Sequence, residues 1–171
     1  INGGIITLNG NITTERSNVT INGDVRLATD VTIDTWQSAA ANQTRTGTAG
    51  TVTIMGAGIS ATAANKSLTI NTSTDTGTGN FNTPTNTQDW THNGGAVTLS
   101  NAGNAGGNYL SSLTVNTSKN GSSNSGVNGA IVLNGATTTA NQTYIGSTIM
   151  LNAALATTTG TVSMTATGAV S

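Results

Sequence analysis

A three-residue step, apolar then variable then apolar, recurs along the chain and limits what it can build more than any other feature. In the second half it reads Val97-Thr98-Leu99, Leu113-Thr114-Val115, Ile131-Val132-Leu133, Ile149-Met150-Leu151 and Val162-Ser163-Met164. The first four begin 16 to 18 residues apart. Strand alternation sends the outer residues of each step to one face and the middle residue to the other. A step this short buries two side chains, so it acquires a core only by stacking on its neighbours. That requirement predicts a solenoid.

The first third carries the same unit in compressed form. Val19-Thr20-Ile21, Val25-Arg26-Leu27 and Val31-Thr32-Ile33 follow at six-residue steps, separated by Asn22-Gly23-Asp24 and Ala28-Thr29-Asp30. Asn, Gly and Asp tolerate the tight conformations of a corner. Three strands and three corners give a triangular turn of about 18 residues. The expected fold is therefore all-β, a parallel β-helix, with right-handed winding as the general preference for parallel crossovers. Roughly eight coils at ~4.8 Å each would make a rod about 40 Å long. A β-sandwich uses the same turn signals and is the competing architecture. Against it stand the shortness of the strands and the recurrence of Asn-Gly turns at coil length.

Two segments interrupt the pattern, at about 34–50 and 71–95. Both Trp residues and the single Phe lie in them, as do Pro84 and His92. Solenoids accept insertions at corners, where they project without disturbing the stack. Residues 1–171 then read as a single β-helix segment of a longer chain or fibre, its opening Ile1–Leu8 strand-like rather than a leader.

Charged residues form only 6% of the chain and aromatic residues 3%, with a formal net charge of −1. Nucleic acid and anionic membranes need a dense Lys/Arg field, which five scattered basic residues do not supply. There is no Cys and no apolar run long enough to span a bilayer. Neither nucleic-acid binding nor membrane insertion is expected. From Asn120 to Ser171 no charged residue occurs. Since edge pairing is resisted mainly by charge and Pro, this end is expected to lie against another copy, another coil of a longer chain or another protein.

Residues 18–35 (NVTINGDVRLATDVTIDT), 112–117 (SLTVNT), 138–145 (TTANQTYI) and 149–153 (IMLNA) together resemble the passenger repeats of filamentous haemagglutinin-like and autotransporter-type bacterial surface adhesins. The likeness covers most of the chain outside the two insertions. It implies a right-handed β-helix at the surface of a Gram-negative-type cell, serving as stalk, adhesin or extracellular fibre. The family has no shared catalytic motif. Its N-terminal export region is not in this sequence, so the resemblance does not choose between secretion routes.

Few residues suggest chemistry. Asp24, Asp30 and Asp34 would offer oxygen ligands to Ca²⁺, but the Gly-Gly-x-Gly-x-Asp calcium repeat is missing and corner Asp residues commonly bond their own backbone. No metal or other cofactor is expected. His92 with Asp89 and Asp75 is the one place where acid–base groups gather, and the strand-central positions carry only Arg26 as a charge. A non-enzymatic role is expected. Trp36, Phe81 and Trp90 either contact a ligand, glycan or protein receptor, or fold back to staple the insertions down. Asn71, Asn116, Asn134 and Asn152, each following a triplet, are expected to form an amide ladder at a shared corner. Thr-x-Thr occurs at 51–53 and 165–167 without repeating on every coil, which leaves ice binding as a remote fourth alternative.

These readings converge on an extracellular structural or adhesive module that associates with itself or with neighbouring repeats. A carbohydrate-binding or carbohydrate-cleaving β-helix is the alternative, and a β-sandwich fibre subunit polymerising by strand donation is a further one.

Overall fold

A computed structural model describes residues 1–36, 47–74, 92–103, 108–119 and 126–171, with His92 described by its backbone alone. Among these residues the chain is all-β, without helix. The Val, Ile and Thr side chains that dominate the triplets are branched at Cβ and settle readily on a pleated surface.

The chain runs through the same sequence of strands again and again. A first pass supplies β1 (Asn2–Leu8) and β2 (Ile12–Thr13), and a second supplies β3 (Val19–Leu27) and β4 (Val31–Asp34). After β5 (Gly47–Thr48) the third pass forms β6 (Val52–Ala61), β7 (Leu68–Asn71) and β8 (His92–Asn93). The fourth holds β9 (Val97–Leu99) and β10 (Leu113–Asn116). In the fifth and sixth come β11 (Ile131–Leu133), β12 (Ala136–Thr138) and β13 (Gln142–Gly146), then β14 (Ile149–Leu151), β15 (Leu155–Thr157) and β16 (Val162–Ala166).

Strands from successive passes lie side by side. One six-stranded sheet has the order β1-β3-β6-β9-β11-β14, and a second has β16-β13-β10-β7-β4-β2. Two-stranded sheets join β12 to β15 and β5 to β8. Every pairing between these strands is parallel. Antiparallel sheets, which a β-sandwich would need, are not formed among the described residues.

Long strands β3 and β6 bend in the middle. Their register shifts between Asn22 and Asp24, so Val19–Ile21 and Val25–Leu27 occupy two sides of the same pass. Gly56 sits at this bend with φ +128°, and a Cβ there would run into the backbone of Gly23 in the pass beside it. Only glycine satisfies both the angle and the contact.

A single hydrophobic cluster draws on all sides of the passes. Ile21, Ile54, Leu99 and Leu133 enter it from the first sheet, Val25 and Ile59 from beyond the bend, and Ile33, Ile70 and Val115 from the second sheet. All are completely buried. At about 1.5–3 kcal/mol for each fully buried aliphatic side chain, this inner column is the main favourable term in the fold.

The spacing argument needs two corrections. Val97 and Ile131 pair with each other in the first sheet, while Leu113 belongs to the second. The steps from Val97 to Leu113 and from Leu113 to Ile131 are therefore crossings between sheets. A full pass of 18 residues occurs only where Ile131 meets Ile149. Long passes also reduce the number of layers: Val52 reaches its partner Val97 only after 45 residues. The main sheets hold six strands rather than the roughly eight expected, so the stack is about 25 Å tall.

Candidate functional site

The most elaborate local chemistry lies at the corner between the end of the second sheet and the return to the first. Asp34, Asn71 and Asn116 are register partners that close β4, β7 and β10. Each side-chain oxygen accepts the backbone N–H two residues on: Trp36 at 2.9 Å, Ser73 at 3.2 Å and Ser118 at 3.0 Å. These are three stacked Asx turns. Between the first and last residue of each turn stands a completely buried threonine, Thr35, Thr72 or Thr117.

Those threonines fasten the corner. Their Oγ1 atoms donate to the carbonyls of Gly50 (2.7 Å), Gly95 (2.6 Å) and Gly129 (2.7 Å). Gly95 and Gly129 return the bond, donating N–H to Thr72 O at 3.0 Å and Thr117 O at 2.8 Å. In the first pass the same place is held by Thr14, whose Oγ1 donates to Ser17 O at 2.7 Å. A Cβ on Gly50 would strike the Ser17 carbonyl, one on Gly95 the Gly50 carbonyl, and one on Gly129 the Gly95 carbonyl. Close backbone stacking thus fixes glycine at all three places, and each clamp closes the pass whatever length of chain lies between threonine and glycine. Three of the chain's long connections leave and re-enter at this one corner. Their returning limbs also stack: β5 pairs with β8, and Gly94 N donates to Val127 O at 2.9 Å.

Trp36 lies at the mouth of the first such connection. It is 4% exposed, with the Arg16 guanidinium 4.7 Å from its ring centroid and an antiparallel bridge to Glu15. Burial of this kind covers the flank of the fold rather than presenting a ring to solvent. Phe81 and Trp90 lie outside the described residues, as do Asp75 and Asp89, so neither an aromatic triad nor the His92 grouping is described.

The three candidate calcium carboxylates go to three different corners. Asp24 pairs with Arg26 at 3.1 Å. Asp30 accepts Ser67 N–H at 2.9 Å, and Asp34 accepts both Trp36 N–H and, at 3.1 Å, the Asn71 amide. The four ladder asparagines divide between two corners instead of sharing one. Asn71 and Asn116 are register partners in the second sheet. Asn134 and Asn152 follow strands of the first, where Asn152 Nδ2 donates to Asn134 Oδ1 at 2.8 Å and Asn134 Nδ2 to Leu99 O at 2.9 Å. The split has the same cause as the spacing error, since triplets from both sheets look alike in sequence.

Two arrangements escaped the sequence reading. In the fifth pass the inward positions of β13 are Gln142 and Tyr144, both completely buried. Tyr144 OH donates to Gln142 Oε1 at 2.8 Å, and Gln142 Nε2 reaches Ala156 O at 2.7 Å and both Ala136 O and Thr138 Oγ1 at 3.3 Å. Burial pushes the Tyr144 phenol well above the ordinary tyrosine range. The second arrangement is a column on the outside of the second sheet. Thr32, Thr69, Thr114, Thr143 and Ser163 are successive register partners. The four threonines are half-buried and Ser163 is exposed. Among the described residues, none of the five hydroxyls is hydrogen-bonded to another group. The middle residues of the triplets carried this signal, but their register was needed to see it.

Searches against protein-family models, curated proteins and solved structures find no match for the chain.

Proposed function

We propose that the chain is a segment of a right-handed parallel β-helix that serves as a non-enzymatic, extracellular structural or adhesive module of a bacterial surface adhesin or fibre. The observation that carries this reading is the conserved register from pass to pass. Positions that are core, corner or surface in one pass keep that role in the next, as Thr35, Thr72 and Thr117 do. Such a stack propagates by nearest-neighbour contacts and suits a stalk better than an enclosed cleft.

End-to-end association, either with further repeats or with copies of the chain, belongs to the proposal. In its favour, Val162 and Met164 in the last pass are 36% and 38% exposed at positions whose register partners Gln142 and Tyr144 are completely buried. Residues 169–171 already add a further rung, with Ile149 N donating to Ala169 O at 3.0 Å and Leu151 N to Ser171 O at 2.7 Å. No helix among the described residues is long and apolar enough to cross a membrane.

Electron microscopy of the concentrated protein, with diffraction from aligned material, tests the reading. Rods with a ~4.8 Å axial spacing are expected. A compact particle that stays monomeric at high concentration would reject end-to-end association for this segment.

A further inference from the structure

Six of the seven Asn-Gly pairs in the chain lie among the described residues, and the fold treats them differently. Asn93 accepts Val127 N–H on Oδ1 at 3.0 Å and donates from Nδ2 to Thr48 Oγ1 at 3.4 Å, while Gly94 N–H donates to Val127 O at 2.9 Å. Asn128 accepts Lys119 N–H at 2.9 Å and donates to Gly146 O at 3.2 Å, and Gly129 N–H donates to Thr117 O at 2.8 Å. Asn134 is tied to Leu99 O and to Asn152. Asn2 and Asn22 are register partners inside β1 and β3, and the backbone of Gly23 lies against those of Gly3 and Gly56. Asn9-Gly10 stands apart. It forms the corner between β1 and β2, both residues are exposed, and among the described residues neither the Asn9 amide nor the Gly10 N–H is hydrogen-bonded to another group. Beyond the chain neighbours of Gly10, no atom comes within 4 Å of the place its Cβ would take.

Asparagine is a labile side chain, and the fold decides where that lability is expressed. An amide held by hydrogen bonds, or a backbone fixed in a strand, keeps the next residue's nitrogen away from the side-chain carbon. A free corner lets the two meet, and glycine puts no side chain in the way. We infer that Asn9 is a site of spontaneous deamidation, with water as the only co-reactant. Gly10 N bonds to Asn9 Cγ; the Cγ–Nδ2 bond breaks, and Nδ2 leaves as ammonia with the proton given up by Gly10 N. Water then opens the cyclic imide. Cleavage at Cγ yields an aspartate, and cleavage at the main-chain carbonyl yields an isoaspartate whose chain runs through Cβ and Cγ. Either product adds a negative charge to a chain whose formal net charge is −1. The iso form also lengthens the corner beside Asn11, whose Oδ1 accepts Thr32 N–H at 2.9 Å and ties the first pass to the second, so that bond loosens. This reactivity is independent of what the module binds.

The folded 171-residue protein is kept in warm, mildly alkaline buffer beside a sample unfolded in urea, and peptide mapping by mass spectrometry follows the amide-to-acid change at each pair. In the folded sample Asn9 should convert roughly tenfold or more faster than Asn93 and Asn128, which react only after local opening. In urea the gap should close, since every pair is Asn-Gly. Gly10→Ala, for which the corner has room, should slow conversion at Asn9 in both samples and leave Asn93 and Asn128 unchanged. In the isoaspartyl fraction the Thr32 amide should exchange its hydrogen faster than in the parent; unaltered exchange overturns the loosening of the corner. Conversion at Asn9 no faster than at Asn93 and Asn128, or led by Asn2 or Asn22, overturns the assignment. So does a lead for Asn9 that persists unchanged in urea, because it then comes from the neighbouring sequence and not from the fold.

Discussion

Thr72 Oγ1 lies 2.6 Å from the carbonyl oxygen of Gly95, joining residues 23 positions apart with one buried bond. The hydroxyl ties the end of one sheet to the start of the other. Thr72→Val keeps the shape and leaves the Gly95 carbonyl without that donor. Loss of about 1–3 kcal/mol of unfolding free energy is expected, read from denaturant midpoints. An unchanged midpoint would mean that the corner is held by backbone pairing alone.

Gly95→Ala acts on the same corner by a different route. Its new methyl would meet the Gly50 carbonyl, a backbone atom that cannot swing aside, so a loss of about 3 kcal/mol or more is expected. Gly10, with open space around its Cβ position, is the internal comparison. Gly10→Ala should change stability by no more than about 1 kcal/mol, in the favourable direction. Equal melting temperatures for the two variants would contradict the stacked-glycine account.

Trp36 and Arg16 give a separable pair of effects. Trp36→Ala removes a buried aromatic side chain and should cost about 3–5 kcal/mol. Arg16 contributes a cation over that ring yet holds φ at 58°, a left-handed conformation that suits glycine better. Arg16→Ala loses the cation–π contact and keeps the strain, for a loss of about 1 kcal/mol. Arg16→Gly relieves the strain, so it should be the more stable of the two variants. Thermal melts of both decide the order.

How far the sequence foretold this structure depends on which residues are asked. Val19, Val25 and Val31 disclosed three sides of one pass because no long connection falls between them. Val97 and Leu113 misled, since a step between sheets has nearly the length of the full pass from Ile131 to Ile149. Asn134 and Asn71 looked equivalent for the same reason, although they serve different corners. The threonine clamps were hidden because Thr is ordinarily a surface residue, and nothing local marks Thr35 as inward and Thr32 as outward beyond a register counted from the strand. Gln142 and Tyr144 occupy inward positions by alternation, but a buried polar pair is recognisable only once its partners are in place.

Asn134 joins neighbouring passes by giving its amide hydrogen to Leu99 O and its oxygen to Asn152. The bond with Asn152 is exposed and the one to Leu99 O only part-buried, so water competes for both and Asn134→Ala should cost about 0.5–1.5 kcal/mol. Asn134→Asp keeps the acceptor for Asn152 but turns a carboxylate toward the Leu99 carbonyl, and should be the worse variant at neutral pH. Denaturant titration of the two variants at pH 7 ranks them.

Tyr144 makes stability depend on alkaline pH. In the unfolded chain its phenol ionises near about pH 10, whereas in the fold burial holds the proton to higher pH. Below about pH 10 both states are protonated and the contribution is fully present. As pH rises beyond that value the unfolded state alone releases the proton, and stability falls by up to about 1.4 kcal/mol per pH unit until the folded phenol also ionises. Tyr144→Phe should lower stability at pH 8 by about 1–3 kcal/mol, because Gln142 Oε1 loses its donor inside the core. The same variant should also lose this part of the alkaline slope. Urea midpoints for parent and variant between pH 8 and 11.5 supply the test: the gap between them should narrow above about pH 10, and a constant gap would show that Tyr144 ionises alike in both states.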